Sequence, residues 1–287
     1  MEIRTIGVCG AGAMGTGIAH VAAQSGFNVI LRDLEIGYVE RSVATMDSLM
    51  QRAIAKGRLT EADRIATLAL ITTTTDLEQF AEADFVIEAI FEDLAIKKRL
   101  FADLDRICRP GVVLATNTSS MSITEIAAAT GRPGNVVGMH FFNPAQVMRL
   151  VEVIHGYQSS DEAVRTAMDL AERLGKKAIE VRKDSPGFVV NRILMPLMTE
   201  AIKVVEEGIA TPEEVDAAIT LGLNHPMGPF TLLDFTGVDV CYNVMEYFHH
   251  EFRQPQYAPP LLIKQMVRAG RLGRKAGKGF LGDYPKA

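Results

Sequence analysis

A glycine-rich turn near the start of the chain restricts the possible folds more than any other segment. An apolar run, Arg4 to Cys9, leads directly into GAGAMG, Gly10 to Gly15, and a helical pattern follows from Ala13 to Ser25. The next apolar run, Asn28 to Leu31, is followed by Asp33. A strand, a GxGxxG turn, a helix and a second strand with an acidic residue after it are typical of a doubly wound parallel sheet that binds a dinucleotide.

Each part of this turn has a physical role in holding a pyrophosphate. Gly10 permits the tight turn, Gly12 lets the backbone approach the phosphates, and Gly15 lets the helix and the strand pack closely. The helix start at Ala13 and Met14 supplies oriented N–H groups and a partial positive charge. Glycines that only form a tight turn are the alternative interpretation.

The residues that close the second strand bear on the choice of coenzyme. Asp33 is placed to bind the ribose hydroxyls of NAD and to repel a 2′-phosphate. Arg32 is next to it in the sequence and can instead bind the 2′-phosphate of NADP. NAD is therefore the expected coenzyme, and NADP stays open.

Two ionisable residues stand where the pattern of a later segment calls for hydrophobic ones. An apolar strand, Val136 to Met139, ends in His140, and a second apolar run, Leu150 to Ile154, contains Glu152. A turn at Asn143-Pro144 would fold the second run back on the first, so that the carboxylate meets the imidazole. A buried carboxylate needs such a partner, and the pair would act as a base and its orienting group. A structural histidine and a solvent-exposed glutamate are the alternative.

Two further groups of polar residues are candidates for ligand contacts. The cluster Thr116 to Ser120 follows a buried strand, so Ser119 is expected near His140, and capping of the helix near Ile123 is a compatible alternative role for the cluster. Arg52 and Lys56 lie one helical turn apart and can hold a phosphate or form a solvated helix face.

The last third of the chain has a helical pattern without a further clear strand. This change predicts a dinucleotide-binding domain over 1–183 and an all-helical substrate and dimerisation domain over 184–287. On the first helix of that domain Asn191 shares a face with Phe188, either as an interhelical hydrogen-bonding group or as a group aimed at an active cleft. The basic, glycine-rich segment Leu272 to Phe280 is interpreted as a solvated end rather than as a loop near phosphate.

Composition limits the classes of partner and compartment. The 287 residues carry a formal net charge of −5, which argues against nucleic acid as the main partner. No apolar run approaches the length of a membrane span, and the acidic second position predicts neither a signal nor a transit peptide. Three widely spaced cysteines indicate reduced thiols in the cytoplasm, without a metal site.

Taken together, the motifs resemble those of the 3-hydroxyacyl-CoA dehydrogenase family, in particular its short, single-function 3-hydroxybutyryl-CoA dehydrogenases. The resemblance spans essentially the whole chain and implies a Rossmann-type domain, an all-α domain, and a homodimer or a dimer of dimers. The motifs are GAGAMG at Gly10, EAIFED at Glu88, NTSS at Asn117, GMHFFNPAQVMRLVEVI at Gly138, DSPGFVVNR at Asp184 and GKGF at Gly277.

The resemblance also implies roles for individual residues. The catalytic histidine falls on His140, its partner carboxylate on Glu152, and the substrate-oxygen contacts on Ser119 and Asn191. The implied coenzyme contacts beyond the glycine-rich turn are Asp33, Glu92, Lys97, Asn117, Ser119 and Asn143. The implied contacts on the CoA side are Ser48, Arg52 and Lys56.

The implied reaction interconverts an (S)-3-hydroxyacyl-CoA, expected to be the short-chain 3-hydroxybutyryl-CoA, and the 3-ketoacyl-CoA by hydride transfer with NAD or NADP. His140 would take the proton of the 3-hydroxyl, and Glu152 would stabilise the imidazolium that forms. A dehydrogenase of the same fold that acts on a free hydroxy acid or sugar acid is one rival function. A non-catalytic dinucleotide-binding protein is the other.

Overall fold

Within residues 2–284, which the computed structural model describes, the strands follow the apolar runs of the sequence. Eight of them form one sheet in the spatial order third, second, first, fourth, fifth, sixth, seventh, eighth. Every neighbouring pair is parallel except the sixth and seventh, which are antiparallel. These strands are β1 (Thr5–Cys9), β2 (Asn28–Arg32), β3 (Ile71–Thr74), β4 (Phe85–Glu88), β5 (Val113–Thr116), β6 (Val136–Phe141), β7 (Leu150–His155) and β8 (Lys177–Val181).

Helices cover both faces of this sheet. They are α1 (Ala13–Gln24), α2 (Ile36–Ala55), α3 (Glu61–Ala69), α4 (Leu94–Ile107), α5 (Ile123–Ala127) and α6 (Asp161–Arg173). Successive residues of β4 belong to different cores, because side chains alternate across a strand. Val86 lies in the core that includes Leu100 of α4, whereas Ile87 lies in the core that includes Ile18 of α1 and Leu170 of α6. The predicted doubly wound α/β fold is confirmed.

The chain divides into two compact units between Phe188 and Val189, a few residues after the predicted boundary at 183/184. Asp184 belongs to the first unit because its carboxylate bonds to the start of α5. There Oδ2 accepts hydrogen bonds from the Ser122 hydroxyl at 2.6 Å and from the Thr124 N–H at 2.7 Å.

The placement of Phe188 on the first helix of the second unit is wrong. That helix begins at Val190, and Phe188 precedes it in a left-handed backbone conformation with φ 52°. Its ring is buried in the core of the first unit. A bulky residue with positive φ is strained, so the burial of the ring must offset that cost.

As far as residue 284, the second unit is helical apart from one short hairpin. A single core joins its helices through buried residues such as Met198, Ile202, Phe230 and Phe248. The predicted all-helical character is confirmed, with the hairpin as the exception. The elements are α7 (Val190–Glu206), α8 (Pro212–Gly222), α9 (Pro229–Thr236), α10 (Val238–Phe252), α11 (Leu261–Arg268), β9 (Lys278–Gly279) and β10 (Gly282–Asp283). None of the helices within residues 2–284 is long and apolar enough to cross a membrane.

The basic C-terminal segment is folded against α9 and is not the solvated end that its composition suggested. Asp234 of α9 is fully buried, and its carboxylate accepts the N–H groups of Phe280 at 2.9 Å and Leu281 at 3.0 Å. It also accepts the Tyr284 hydroxyl at 2.7 Å. Burial and this hydrogen bond raise the pKa of Tyr284 to about 12. A Cβ at Gly279 would lie 2.2 Å from Asp234 Oδ1, so the glycine of the GKGF motif is required there.

We expect Asp234→Ala to lower the free energy of unfolding by at least about 3 kcal/mol, because it removes three hydrogen bonds to a charged acceptor, each of which contributes roughly 1.5–3 kcal/mol. A urea titration followed by circular dichroism measures the change. Asp283→Ala in the same hairpin is the control, since its carboxylate is exposed and lies 3.6 Å from Arg271. The control should change stability by less than about 0.5 kcal/mol. Equal effects of the two variants would contradict the role of Asp234.

The three cysteines are buried free thiols, and burial raises the pKa of each. The pKa is raised to about 12 for Cys9 and Cys241 and to about 11 for Cys108. Because the thiolate is the reactive form, Ellman's reagent should label none of them in the native protein at mildly alkaline pH. All three should react in concentrated guanidinium chloride. Rapid labelling of the native protein would contradict the burial of the thiols.

Candidate active site

The carboxyl ends of the central strands bring several of the predicted site residues to one edge of the sheet. Cys9 of β1 is paired with Glu88 of β4, Glu88 with Thr116 of β5, and Thr116 with Gly138 of β6. His140 follows two residues beyond that last pair. Ligands of open parallel sheets bind at this edge, where the strand order changes direction beside β1.

The geometry of the glycine-rich turn fits a pyrophosphate. Gly10 has φ 107°, and a Cβ there would lie 2.4 Å from the Ala89 carbonyl oxygen. A Cβ at Gly15 would lie 1.8 Å from the Gly10 carbonyl oxygen. At Gly12, the N-cap of α1, a Cβ would meet no atom within 4 Å. The space beside the helix start is therefore open, where Ala13 and Met14 begin α1 and its N–H groups favour an anion.

Asp33 is fixed against this turn. Its Oδ2 accepts the Ala11 N–H at 2.7 Å, and its Oδ1 accepts the Leu34 N–H at 2.7 Å. Arg32 is directed to the end of the neighbouring strand β3, where its Nε donates to the carbonyl oxygen of the next residue, Thr75, at 3.1 Å. The carboxylate therefore stands beside the dinucleotide turn while the guanidinium has another partner.

His140 and Glu152 meet as the sequence suggested, because β6 and β7 are antiparallel and pair these two residues directly. Nδ1 of His140 lies 2.7 Å from Oε2 of Glu152, and the two residues are 6% and 0% exposed. Since an ionised carboxylate only accepts, Nδ1–H donates to it and Nε2 is the nitrogen left for a substrate. The rings of Phe142 and Phe188 flank the imidazole, with centroids at 4.4 Å and 5.6 Å.

The segment after His140 is held at both of its ends. Asn117 Oδ1 accepts the Phe141 N–H at 2.9 Å, which ties the loop after β5 to the strand that carries the histidine. Farther on, the buried amino group of Lys176 donates to the carbonyl oxygens of Ala145 at 2.7 Å and Met148 at 2.9 Å. Burial lowers the pKa of Lys176. The exposed Asn143 lies between these two anchors.

Ser119 lies beside a network of charged residues. Glu92 Oε1 accepts the Ser119 N–H at 3.2 Å and the hydroxyl of Thr118. Glu92 Oε2 lies 3.1 Å from the amino group of Lys97, which is buried and also paired with Glu88. The N-cap of α5 is Ser122, outside the predicted polar cluster, so capping does not account for Ser119.

Comparison with known proteins decides the family. Residues 5–185 match the family described as 3-hydroxyacyl-CoA dehydrogenase, NAD binding domain, and residues 187–283 match 3-hydroxyacyl-CoA dehydrogenase, C-terminal domain. The chain belongs to the 3-hydroxyacyl-CoA dehydrogenase family. The sequence resemblance is thereby confirmed, and so is NAD as the coenzyme.

Relatives and solved structures agree with this assignment over nearly the whole chain. A Deinococcus radiodurans protein with the name "Probable 3-hydroxybutyryl-CoA dehydrogenase" is 50% identical over 96% of this chain and 98% of its own length. The 3-hydroxybutyryl-CoA dehydrogenase of Clostridioides difficile is 43% identical over 98% of this chain and 99% of its own. The crystal structure of (S)-3-hydroxybutyryl-CoA dehydrogenase from Ralstonia eutropha matches with a TM-score of 0.96 and 47% identity, and covers 99% of this chain and 100% of that one.

The residues that the resemblance assigns to CoA and the second contact to the substrate oxygen, Asn191, stay predictions. Arg52 and Lys56 are exposed at the C-terminal end of α2, and Ser48 is half-buried one turn earlier. Asn191 is half-buried in the first turn of α7, in the second unit.

Near the coenzyme edge and the loop after His140, sequence reasoning missed the buried charged residues Glu88 and Lys176 of the dehydrogenase. Glu88 closes the apolar strand β4, the same signal that singled out Glu152, and it went unused because the motif was assigned through Glu92. Lys176 follows the glycine turn after α6 and gave no periodic signal, because its partners are backbone carbonyls of a distant loop.

Proposed function

We propose that this dehydrogenase interconverts (S)-3-hydroxybutyryl-CoA and acetoacetyl-CoA. The observation that carries the proposal is the buried pair of His140 and Glu152 at the edge of the sheet where the glycine-rich turn lies. The names of the relatives from Clostridioides difficile and Ralstonia eutropha support the short acyl chain.

In the oxidation direction, His140 Nε2 takes the proton of the 3-hydroxyl group. NAD supplies the acceptor for the hydride that leaves C3. Nδ1–H continues to donate to Glu152, whose negative charge stabilises the imidazolium that forms. In the reduction direction the same imidazolium returns its proton to the oxygen of the 3-keto group. General acid–base catalysis of this kind contributes a factor of roughly 10² to 10⁴ in rate.

The remaining assigned residues hold the reactants. We assign Ser119 and Asn191 to the reacting oxygen, whose charge changes most during the reaction. Lys56 and Arg52, with Ser48, are assigned to the phosphates of CoA, for which exposed basic side chains one helical turn apart are suited. The coenzyme is assigned to the glycine-rich turn together with Asp33, Glu92, Lys97, Asn117, Ser119 and Asn143.

A homodimer through the helical unit, in the cytoplasm, belongs to the same proposal. Several large apolar side chains of that unit are exposed, and a second copy would remove them from water. These are Ile193, Ile209, Leu221, Leu223, Phe235 and Val240. Light scattering coupled to size exclusion distinguishes a dimer from a dimer of dimers, and a monomer at micromolar concentration would contradict the proposal.

The substrate is tested by the loss of reduced-nicotinamide absorbance with purified protein. Acetoacetyl-CoA with NADH should be reduced rapidly, and free acetoacetate with NADH only slowly. NADPH in place of NADH should be a poor donor, because Asp33 repels the 2′-phosphate. Turnover of the free acid alone would overturn the proposal in favour of a hydroxy-acid dehydrogenase.

A further inference from the structure

Glu88 is a fully buried carboxylate for which the reaction described above has no use. Its Oε1 accepts the amino group of Lys97 at 2.6 Å and the Ile90 N–H at 2.7 Å. Its Oε2 accepts the Thr116 hydroxyl at 2.6 Å. Every oxygen is hydrogen-bonded, and the carboxylate has a cation as partner, so a charged group is stable in this place.

The cation is shared between two carboxylates. Lys97 is 1% exposed, and its amino group lies between Glu88 and Oε2 of Glu92, which is 3.1 Å away. Glu92 is 40% exposed, and its other oxygen, Oε1, accepts a hydrogen bond from the Ser119 N–H. Two negative charges and one positive charge leave the cluster of Glu88, Lys97 and Glu92 with a net charge of −1. The adjacent Asp93 caps α4 by accepting the Ile96 N–H at 2.9 Å, so its charge faces the partial positive charge of that helix start.

This excess charge lies at the coenzyme edge of the sheet. Glu88 is paired with Cys9, the residue before the glycine-rich turn, and the next residue, Ala89, donates its N–H to the Cys9 carbonyl oxygen at 2.7 Å. On its other side the Glu88 carbonyl accepts the Asn117 N–H at 2.8 Å, at the start of the segment that carries Ser119. The cluster therefore stands between the dinucleotide turn and the proposed substrate contact.

We propose that the cluster of Glu88, Lys97 and Glu92 sets the relative affinity of the enzyme for the two redox states of its coenzyme. The nicotinamide ring carries a positive charge in NAD and none in NADH, because the ring gains a hydride with its electron pair. A net negative charge at this edge favours the oxidised form, and burial weakens the screening of that attraction by water. Glu88 acts through Lys97 and Glu92, so it is a positioning residue. The inference rests on the NAD site of the proposed function and not on the identity of the acyl substrate.

Glu88→Gln tests this inference, because it removes one charge and keeps the shape of the side chain. The amide oxygen can still accept from Lys97, and the amide nitrogen can donate to the Thr116 hydroxyl. Binding of NAD and of NADH is measured by calorimetric titration without any acyl-CoA. We expect the ratio of the dissociation constant for NAD to that for NADH to rise about tenfold, as an order of magnitude for one charge in a partly desolvated site.

Glu82→Gln is the control with the same change in net charge. Glu82 is exposed and precedes β4, so it lies toward the opposite edge of the sheet, and its substitution should leave the ratio unchanged.

A purely structural role for Glu88 gives a different result. In that case Glu88→Gln would lower the melting temperature and weaken the binding of NAD and of NADH by the same factor, which would overturn the inference. If Glu88→Gln fails to fold, Glu92→Gln replaces it, since it removes one charge from the same cluster at an exposed position. It should also raise the ratio, and a loss of affinity by the same factor for NAD and NADH would contradict the charge argument. Failure to turn over acetoacetyl-CoA would overturn the proposed substrate and leave these binding ratios unaffected.

Discussion

Replacement of His140 with glutamine should lower kcat for acetoacetyl-CoA reduction by a factor of about 10² to 10⁴, while NADH still binds. Glutamine approximates the size of the imidazole and can accept a hydrogen bond, but it cannot carry the proton to the substrate. The glycine-rich turn and Asp33 are separate from this side chain, so the dissociation constant for NADH should stay within about twofold of that of the unsubstituted protein. Steady-state kinetics and a fluorescence titration with NADH measure the two quantities.

The chain offers a matched control for this substitution. His155 lies at the end of β7, and its Nε2 is 2.9 Å from Oε1 of Glu180 on the neighbouring strand. It is therefore a second histidine paired with a carboxylate in the same sheet. His155→Gln should leave kcat nearly unchanged. Equal loss of NADH affinity and of turnover in His140→Gln would contradict the role of His140 as the proton donor and acceptor.

Glu152→Gln should lower kcat by a factor on the order of 10² or more, with a smaller change in KM. The amide can still accept from Nδ1–H, but it no longer stabilises the imidazolium, and its amide nitrogen can turn toward the ring and favour the wrong tautomer. Glu152 is fully buried, so a melting curve is recorded for each variant to show that the loss of rate is not a loss of folded protein.

Glu180→Gln is the control, since it removes the carboxylate from the pair of His155 and Glu180 instead. Its kcat should match that of the unsubstituted enzyme. If Glu152→Gln keeps a normal kcat, or loses rate only in proportion to its loss of folded protein, then Glu152 stabilises the fold without orienting the catalytic group.

The features that local pattern could predict were those in which one residue breaks a strong periodicity. His140 and Glu152 stand out because each interrupts an apolar strand, and a connection of eight residues, 142–149, keeps the two strands close in sequence. The turn at Gly10 was predictable for a similar reason, since its glycines come between an apolar strand and a helix.

Other features depend on contacts between distant parts of the chain and left no local signal. The pattern around Phe188 is helical, but its ring is buried in the first unit and the helix begins after it. The GKGF segment has a composition typical of a solvated end, yet Asp234 holds it through the backbone N–H groups of Phe280 and Leu281. Backbone donors carry no sequence information, so composition could not indicate this attachment.

In the proposed reduction, a hydride passes from the coenzyme to C3 of a CoA ester. This transfer is tested most directly by reducing acetoacetyl-CoA with NADH that carries deuterium at both C4 positions, followed by mass spectrometry and chiral analysis of the product. We expect (S)-3-hydroxybutyryl-CoA with one deuterium at C3, and we expect His140→Gln to form the same product far more slowly. Oxidation of NADH without deuterium in the product, or formation of the opposite enantiomer, would contradict the account.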